Sequence, residues 1–211
     1  KIDDVVTNTD KAHMPRFIRK MLFRGLYEDH ERALVRKSLH EGGRVLEIGC
    51  GIGLVSLVAT KVCGEGNVFS YEANPLTEKI IRENYRLNSW KPNLFMKAIT
   101  ADGRRLKLFQ HDNIISSSLF DRGLEGDEIE IESVAISDAI SLHDPTASVM
   151  DVEGAEEEML PAADLDRVRV LILELHPHII GADKVNDLLQ DLENRGFSLR
   201  EKSHKTYYLE R

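Results

Sequence analysis

Cysteines and long apolar runs are both scarce in this 211-residue sequence. Its only cysteines are Cys50 and Cys63, whose positions suggest no disulfide framework, so we expect a reducing compartment. No apolar stretch approaches the roughly 20 residues that span a bilayer, and the first residues, KIDDVV, lack the features of a signal peptide. Internal repeats and low-complexity segments are absent too. We therefore predict a cytoplasmic protein with one sizeable core and no membrane partner.

Positive charge is also in short supply, since the formal net charge is −8. Binding to nucleic acid or to an anionic membrane depends on dense Lys and Arg, so this balance argues against either as the main partner. One basic cluster stands near the N-terminus, at Arg16, Arg19, Lys20 and Arg24. We interpret that cluster as the solvated face of a helix, and we expect no nucleic-acid partner.

What the sequence does contain is a strand, a glycine turn and a helix in direct succession, in residues 44–53 (RVLEIGCGIG) and the apolar stretch that follows. Such a unit usually opens a nucleotide-binding α/β fold. Hydrophobic periodicity then predicts further elements along the chain. Strands are predicted at 44–48, 67–71, 94–99, 147–152, 168–175, 197–201 and 206–210, with helices at 14–23, 27–39, 52–63, 74–87, 155–163 and 182–194.

These elements predict a doubly wound, mostly parallel, seven-stranded Rossmann-like α/β sheet that ends in an antiparallel β-hairpin. We expect an N-terminal helical extension over residues 1–43 and a catalytic domain over 44–211. Residues 101–137 break the rhythm, because 105–110 and 128–136 alternate like exposed strands around a polar loop. We interpret them as an inserted β-hairpin that could reach over a site.

The glycine spacing excludes the usual dinucleotide code. That code needs a third glycine three positions after the second, and Leu54 or Ser56 stands there instead. The pattern present is Glu47-x-Gly49-x-Gly51-x-Gly53. Glu72 ends the second predicted strand, where an acid can accept both ribose hydroxyls of a nucleotide. NAD enzymes also bind the ribose with an acid at this position. Glu72 alone therefore does not exclude an NAD-dependent oxidoreductase.

A second group of polar residues follows the fourth and fifth predicted strands. Asp151 and Glu153 flank a valine and point to the same side by strand alternation. Ligands bind at this carboxyl edge of an open α/β sheet, where carboxylates can act as a base, a hydrogen-bond acceptor or a metal ligand. Capping of the next helix by Glu153 or Glu156 is the alternative. His176 and His178 reach the same edge, and His111 has a weaker claim from the inserted loop.

Four motifs in this order, VLEIGCGIG, YEANP, DVEGAE and LILELHP, resemble the FkbM family of methyltransferases. Further similarities are NYRLN at 84–88, ISSSL at 115–119 and the Tyr27-Glu28 pair. The resemblance runs from Tyr27 to the C-terminus. It implies the class I methyltransferase fold, with S-adenosylmethionine as cofactor. One departure is Val149, which stands where the family often has Lys.

The resemblance also implies the roles of individual residues. Glu47 would lie near the amino end of the cofactor and Ala98 near its adenine. The full set of predicted cofactor-binding residues is Glu47, Gly49, Cys50, Gly51, Gly53, Glu72, Ala73, Asn74 and Ala98. Asp151 would orient or deprotonate the acceptor, assisted by Glu153 or His176.

The expected reaction is O-methylation of a small-molecule hydroxyl, such as that of a sugar or polyketide, by an enzyme of the EC 2.1.1 type. N-methylation is the less favoured form. A non-catalytic module that binds S-adenosylmethionine remains an alternative, because Val149 removes a family lysine. We predict no metal, although Asp151, Glu153 and His176 offer suitable donor atoms. The oligomeric state stays open, with a homodimer among the alternatives.

Overall fold

The computed structural model describes residues 1–12, 14–110 and 127–211. A seven-stranded sheet forms its centre and takes its strands from along the whole described chain. Those strands are β1 (Val45–Ile48), β2 (Val68–Tyr71), β3 (Asn93–Phe95), β8 (Ala147–Asp151), β9 (Val170–Glu174), β10 (Ser198–Ser203) and β11 (Thr206–Glu210). Four short strands of the described residues lie outside it, namely β4 (Ala98–Thr100), β5 (Leu106–Gln110), β6 (Asp127–Ile131) and β7 (Ser133–Ala135).

The strand order in the central sheet is β10-β11-β9-β8-β1-β2-β3. Neighbours from β9 to β3 pair in parallel, whereas β11 pairs antiparallel with both β9 and β10. The predicted α/β fold with a mostly parallel seven-stranded sheet and a closing antiparallel hairpin is therefore confirmed. Crossing from β2 back past β1 to β8 reverses the direction of winding, and this reversal opens a crevice at the carboxyl ends of β1 and β8.

Helices cover both faces of this sheet. They are α1 (Arg16–Arg24), α2 (Asp29–Ser38), α3 (Leu54–Cys63), α4 (Glu78–Leu87), α5 (Ile136–His143), α6 (Glu156–Ala162), α7 (Pro177–Ile180) and α8 (Ala182–Asn194). Alternate residues of β1 face the two layers, since Val45 belongs to the hydrophobic cluster that includes α1 to α4, and Leu46 belongs to the cluster that includes α5, α6 and α8. Helix α3 is apolar nearly all round and is correspondingly buried.

The N-terminal residues pack into the same layer as α3 and α4. Val5 and Ile18 are fully buried in that cluster. The side chain of Asn84, also fully buried, accepts a hydrogen bond from the backbone N–H of Asn8 at 2.7 Å and donates one to the carbonyl of Ile52 at 2.8 Å. The segment before α1 is therefore tied directly to the glycine turn through α4.

The inserted region is partly as predicted. Strands β5 and β6 pair antiparallel, which confirms the β-hairpin, and the predicted loop at 111–126, with His111 and the serine run, lies outside the described residues. The expected strand at 94–99 is wrong in detail, because the chain leaves the main sheet after Phe95 and β4 pairs with β7 instead. The expected strand at 128–136 likewise ends early, and Ile136 begins α5. Within the described residues, no helix is long and apolar enough to cross a membrane.

Candidate functional site

The glycine turn between β1 and α3 is packed against the end of β8. Gly49 has a φ of 79°, and a Cβ built on it would lie 1.8 Å from the carbonyl oxygen of Asp151. Gly53 also has a φ of 79°, and its Cβ would lie 3.1 Å from Cγ2 of Ile81. Only glycine adopts such a φ without strain. At Gly49 the close neighbour is thus the protein's own backbone, which brings Asp151 beside the turn.

Gly51, the middle glycine, lies under side chains from the N-terminal segment. Its φ is 53°, and a Cβ there would lie 3.2 Å from both the hydroxyl of Tyr27 and Oε1 of Glu28. Glu28 itself has a φ of 48°, a conformation that non-glycine residues rarely hold and that is often found at functional sites. Its Oε2 is buried without a hydrogen-bond partner. Burial raises the pKa of Glu28 well above its usual range.

Glu72, at the end of β2, holds this turn in place. Its Oε2 accepts hydrogen bonds from the backbone N–H groups of Cys50 at 3.1 Å and Gly51 at 2.9 Å. Its Oε1 accepts one from the N–H of Asn74 at 2.8 Å. Burial raises the pKa of Glu72, and these amide donors partly offset that rise. These three bonds use both lone pairs of Oε2 and one of Oε1, so Oε1 is the oxygen with which Glu72 could accept a ribose hydroxyl.

Glu47 lies inside the protein beneath the turn. Its Oε2 accepts hydrogen bonds from the hydroxyls of Ser56 on α3 and Ser70 on β2, while Oε1 is buried without a partner. Burial raises the pKa of Glu47 to about 7, although the two hydroxyls lower it. The predicted contact with the cofactor's amino end stays a prediction, and the unpartnered Oε1 is the atom that could make it.

The remaining predicted cofactor residues border the same loop. Cys50 is buried, and its N–H is already engaged by Glu72. The side chain of Asn74 accepts a hydrogen bond from the N–H of Leu76 at 3.0 Å and so shapes the start of the next helix. Ala73 packs against the small cluster of Ala98 and Ile131, and Ala98 opens β4 rather than closing β3. Ala98 therefore lies beside the Glu72–Asn74 loop by a route that the strand prediction did not anticipate.

The three predicted catalytic residues come together around His176. The Nε2 atom of this buried imidazole lies 3.7 Å from Oδ1 of Asp151, 3.8 Å from Oε2 of Glu153 and 3.6 Å from Oε1 of Glu174. Its Nδ1 lies 2.7 Å from Oε1 of Glu156, which is fully buried.

Burial and neighbouring charge together shift the pKa values of the residues in this cluster. Burial raises the pKa of Asp151 and of Glu174, and the charges of nearby carboxylates add to the rise. Burial lowers the pKa of His176, but the hydrogen bond and charge of Glu156 outweigh it and the pKa rises. The cluster can therefore hold or transfer a proton near neutral pH.

Several members of the site were missed by sequence reasoning. Glu174 precedes His176 by two positions, so strand alternation could have placed both on one side. Glu156 was considered only as a helix cap. The position of Tyr27 and Glu28 over the glycine turn depends on how the N-terminal segment packs, and no local pattern signals it. His178 lies on α7 with its ring centroid 5.7 Å from that of His176.

Comparisons with known proteins point to methyltransferases. The family model of the TRM5/TYW2 methyltransferase domain matches residues 18–121, just under half of the chain. A ribosomal protein L11 methyltransferase from Acetivibrio thermocellus is 34% identical over 55 residues, covering 26% of this chain and 17% of that protein. A protein named probable cobalt-precorrin-6B C(15)-methyltransferase (decarboxylating), from Pyrobaculum aerophilum, is 32% identical over 77 residues, covering 36% of this chain and 37% of that protein.

Among solved structures, a precorrin-6y C5,15-methyltransferase from Geobacter metallireducens superposes with a TM-score of 0.51 at 17% identity, covering 99% of this chain and 95% of that chain. At this identity the likeness supports the fold alone. The chain spans less than two fifths of the length of either curated relative described above. The predicted cofactor, S-adenosylmethionine, is confirmed by these matches, and the predicted class of enzyme, a methyltransferase, is supported.

Two predictions are overturned. The assignment to the FkbM family is wrong, since the matching family model is that of the TRM5/TYW2 domain. The glycine turn and Glu72 predict the superfamily alone, so they could not separate one methyltransferase family from another. The expectation of a small-molecule acceptor and no nucleic acid is also wrong, because the matching family model is that of the TRM5/TYW2 domain and one curated relative is named a ribosomal protein L11 methyltransferase. Net charge was a poor guide because it averages over the whole surface.

Proposed function

We propose that this protein transfers the methyl group of S-adenosylmethionine to RNA. The observation that carries this acceptor class is a basic groove beside the predicted cofactor loop. The groove has a volume of about 900 Å³ and lies between the N-terminal segment with α1 and the outer face of α4. Its wall includes Leu76, two positions after Asn74 of the cofactor loop, so an acceptor seated there would run toward the cofactor.

Six basic side chains line this groove against two acidic ones, Asp10 and Glu83. The basic residues are Lys11, Arg16, Arg19, Lys79, Arg82 and Arg86. Arg82 and Arg86 pair with Glu78 and Glu83 on the exposed surface of α4. Exposed pairs of this kind contribute at most about 1 kcal/mol, so both guanidinium groups are available to an incoming phosphate. The groove therefore offers the dense local positive charge that the net charge of −8 conceals.

Helix α1 adds aromatic surface to this charge. Phe17 is 64% exposed and Phe23 is 77% exposed, on the helix that also carries Arg16 and Arg19. Aromatic rings stack on unpaired bases, at about 1–3 kcal/mol per base. A short helix that carries both cations and exposed aromatic rings suits a partner with phosphates and unpaired bases, such as a single-stranded or looped RNA. It suits a uniformly polar partner less well.

The glycine turn and its surroundings suit the cofactor. Three buried oxygens without hydrogen-bond partners, one each on Glu28, Glu47 and Asp151, lie around the turn. Buried carboxylates of this kind favour a cationic ligand, and S-adenosylmethionine supplies a methyl group from a positively charged sulfonium. Glu72 would bind the ribose while its other lone pairs keep the turn in place. Tyr27 and Glu28 would exclude water above Gly51.

At the acceptor end, Asp151 and Glu153 would orient the nucleophilic atom of the RNA. Their side chains are 36% and 44% exposed, so both are accessible from the crevice. A carboxylate there accepts a hydrogen bond from the acceptor and takes its proton as the methyl group moves. Alignment of two bound reactants supplies much of the rate enhancement in a transfer of this type.

The test is transfer of tritiated methyl groups from S-adenosylmethionine to total cellular RNA, with label followed before and after ribonuclease digestion. We expect ribonuclease-sensitive label. A double variant of the groove, Arg16→Glu with Arg82→Glu, should lose at least about tenfold in RNA labelling through lost phosphate contacts. The matched control, Arg200→Glu with Lys202→Glu, changes the net charge equally on exposed β10.

Binding of S-adenosylhomocysteine, measured by calorimetry, should be unchanged in both double variants. Label that resists ribonuclease but is sensitive to protease would contradict the RNA acceptor. Equal losses in the groove variant and its control would contradict the groove as the binding surface.

A further inference from the structure

His176 is held so that only one of its two ring nitrogens faces the crevice. The residue is 1% exposed at the end of β9. Its Nδ1 lies 2.7 Å from Oε1 of Glu156, a carboxylate that is 0% exposed. A carboxylate oxygen accepts hydrogen bonds, so Nδ1 donates to Glu156 and Nε2 is the ring nitrogen that faces the crevice. A carboxylate behind a histidine in this way is the usual support for a histidine that binds a metal ion.

The Nε2 atom faces a gap between carboxylates. Oδ1 of Asp151 is 3.7 Å away and Oε1 of Glu174 is 3.6 Å away, both too far for a hydrogen bond. Among the described residues, none forms a hydrogen bond with Nε2, and Oδ1 of Asp151 is buried without a partner. Oδ1 of Asp151 thus lies near Nε2 with its bonding capacity unused, which burial normally penalises.

The spacing of these atoms matches the ligands of one ion. The ligand atoms of Asp151, Glu174 and His176 all lie within 4.8 Å of one another. Oxygen and nitrogen ligands bind divalent ions at about 2.0–2.4 Å, so two atoms bound to a common ion are at most about 4–5 Å apart. Asp151 is 36% exposed as a side chain, which leaves a path from solvent into the gap.

We propose that Asp151, Glu174 and His176 bind one divalent first-row cation. Two carboxylates and one imidazole favour an ion that accepts both hard oxygen and nitrogen ligands, such as Mn²⁺, over Mg²⁺ or Ca²⁺, which take oxygen almost alone. Three protein ligands leave the other coordination positions to water or an acceptor. The cation would also offset negative charge where an anionic RNA must approach.

Glu156 is a positioning residue in this arrangement, since it touches only the far nitrogen of the imidazole. The cation site requires neither the cofactor nor a particular acceptor. Its failure and the failure of RNA methylation are therefore separate results.

The experiment is a titration of chelator-treated protein with Mn²⁺, in which the electron paramagnetic resonance signal reports free ion. We expect one Mn²⁺ bound per chain. Asp151→Asn and Glu174→Gln, which keep the side-chain shapes, should each weaken binding at least about 100-fold. Glu156→Gln should weaken it about tenfold, as expected for a supporting contact. Glu157→Gln, an exposed neighbour on α6 that pairs with Lys184, is the matched control and should bind like wild type.

Circular dichroism establishes which variants are folded, and either ligand variant is sufficient by itself. Mn²⁺ bound equally by wild type and a folded ligand variant would overturn the proposal, because the ion would then sit elsewhere on this acidic chain. Absence of saturable binding to wild type would also overturn it, and the cluster would then be a set of carboxyl groups that share protons with His176.

Discussion

Replacing Gly49 by alanine should destabilise the protein far more than the same change at a glycine of similar conformation. Both Gly49 (φ 79°) and Gly25 (φ 71°) have left-handed backbones, which cost a residue with a Cβ about 1–2 kcal/mol. At Gly25 a Cβ meets no atom within 4 Å, so Gly25→Ala should cost only that amount.

At Gly49 the new Cβ would overlap the carbonyl oxygen of Asp151 at 1.8 Å, and neither partner is a movable side chain. The ends of β1 and β8 must separate, although Ile48 and Met150 are paired in register there. Overpacking of this kind adds about 1–3 kcal/mol, so Gly49→Ala should cost about 2–5 kcal/mol in total. That is a large part of the stability of an ordinary domain.

The assay is equilibrium unfolding in urea followed by far-ultraviolet circular dichroism. Gly51→Ala gives a third point, because its Cβ would approach only the ends of the Tyr27 and Glu28 side chains, which can move. Its stability should match that of Gly25→Ala while its affinity for S-adenosylhomocysteine falls. If Gly49→Ala were no less stable than Gly25→Ala, the contact with Asp151 would not limit the turn, and the reasoning would be refuted.

Three further outcomes follow from single side chains. Glu72→Gln should weaken binding of S-adenosylhomocysteine at least about tenfold by calorimetry, whereas Glu78→Gln on exposed α4 should not. Glu47 has a pKa of about 7 in the folded protein against 4.5 when unfolded, so its ionisation lowers stability as pH rises between these values, by at most about 3 kcal/mol. Glu47→Gln should remove this slope from urea midpoints measured between pH 5 and 8. Asn84→Ala should cost about 2–4 kcal/mol, because it breaks several buried hydrogen bonds, and limited proteolysis should then cleave the N-terminal segment first.

Hydrophobic periodicity correctly predicted the elements whose buried residues repeat at one regular spacing. Helix α8 was placed at 182–194, as the structure has it, because its apolar residues repeat at helical spacing. The small sheet of β4 and β7 was not predicted, since its strands have three residues each and pair residues that are 35 positions apart in sequence. Helix α5 was missed because the alternation at 128–131 was extended through Ile136. Short elements fixed by tertiary pairing carry too little local signal.

The candidate site divides in the same way. Asp151 and His176 could be named because each follows a strand, and parallel strands end at a common edge. The supporting residues could not be named, because their role depends on distances between elements. Glu156 belongs to a helix start in the sequence, and only the packed structure brings it to Nδ1 of His176. The direct contact between Gly49 and Asp151 likewise requires the register of β1 with β8.

Buried negative charge is common to the two parts of this site, the glycine turn and the cluster around His176. Glu28, Glu47, Glu72 and Asp151 come from four different elements, and burial raises the pKa of each. Burying so many acids disfavours folding unless their charges are compensated. A sulfonium cofactor would compensate the carboxylates around the turn, and a divalent cation would compensate those around His176. The described residues around these acids provide positive charge only in part, through groups such as Lys205, whose Nζ lies 3.8 Å from Oε1 of Glu174. Both proposed ligands would therefore supply positive charge that the site needs.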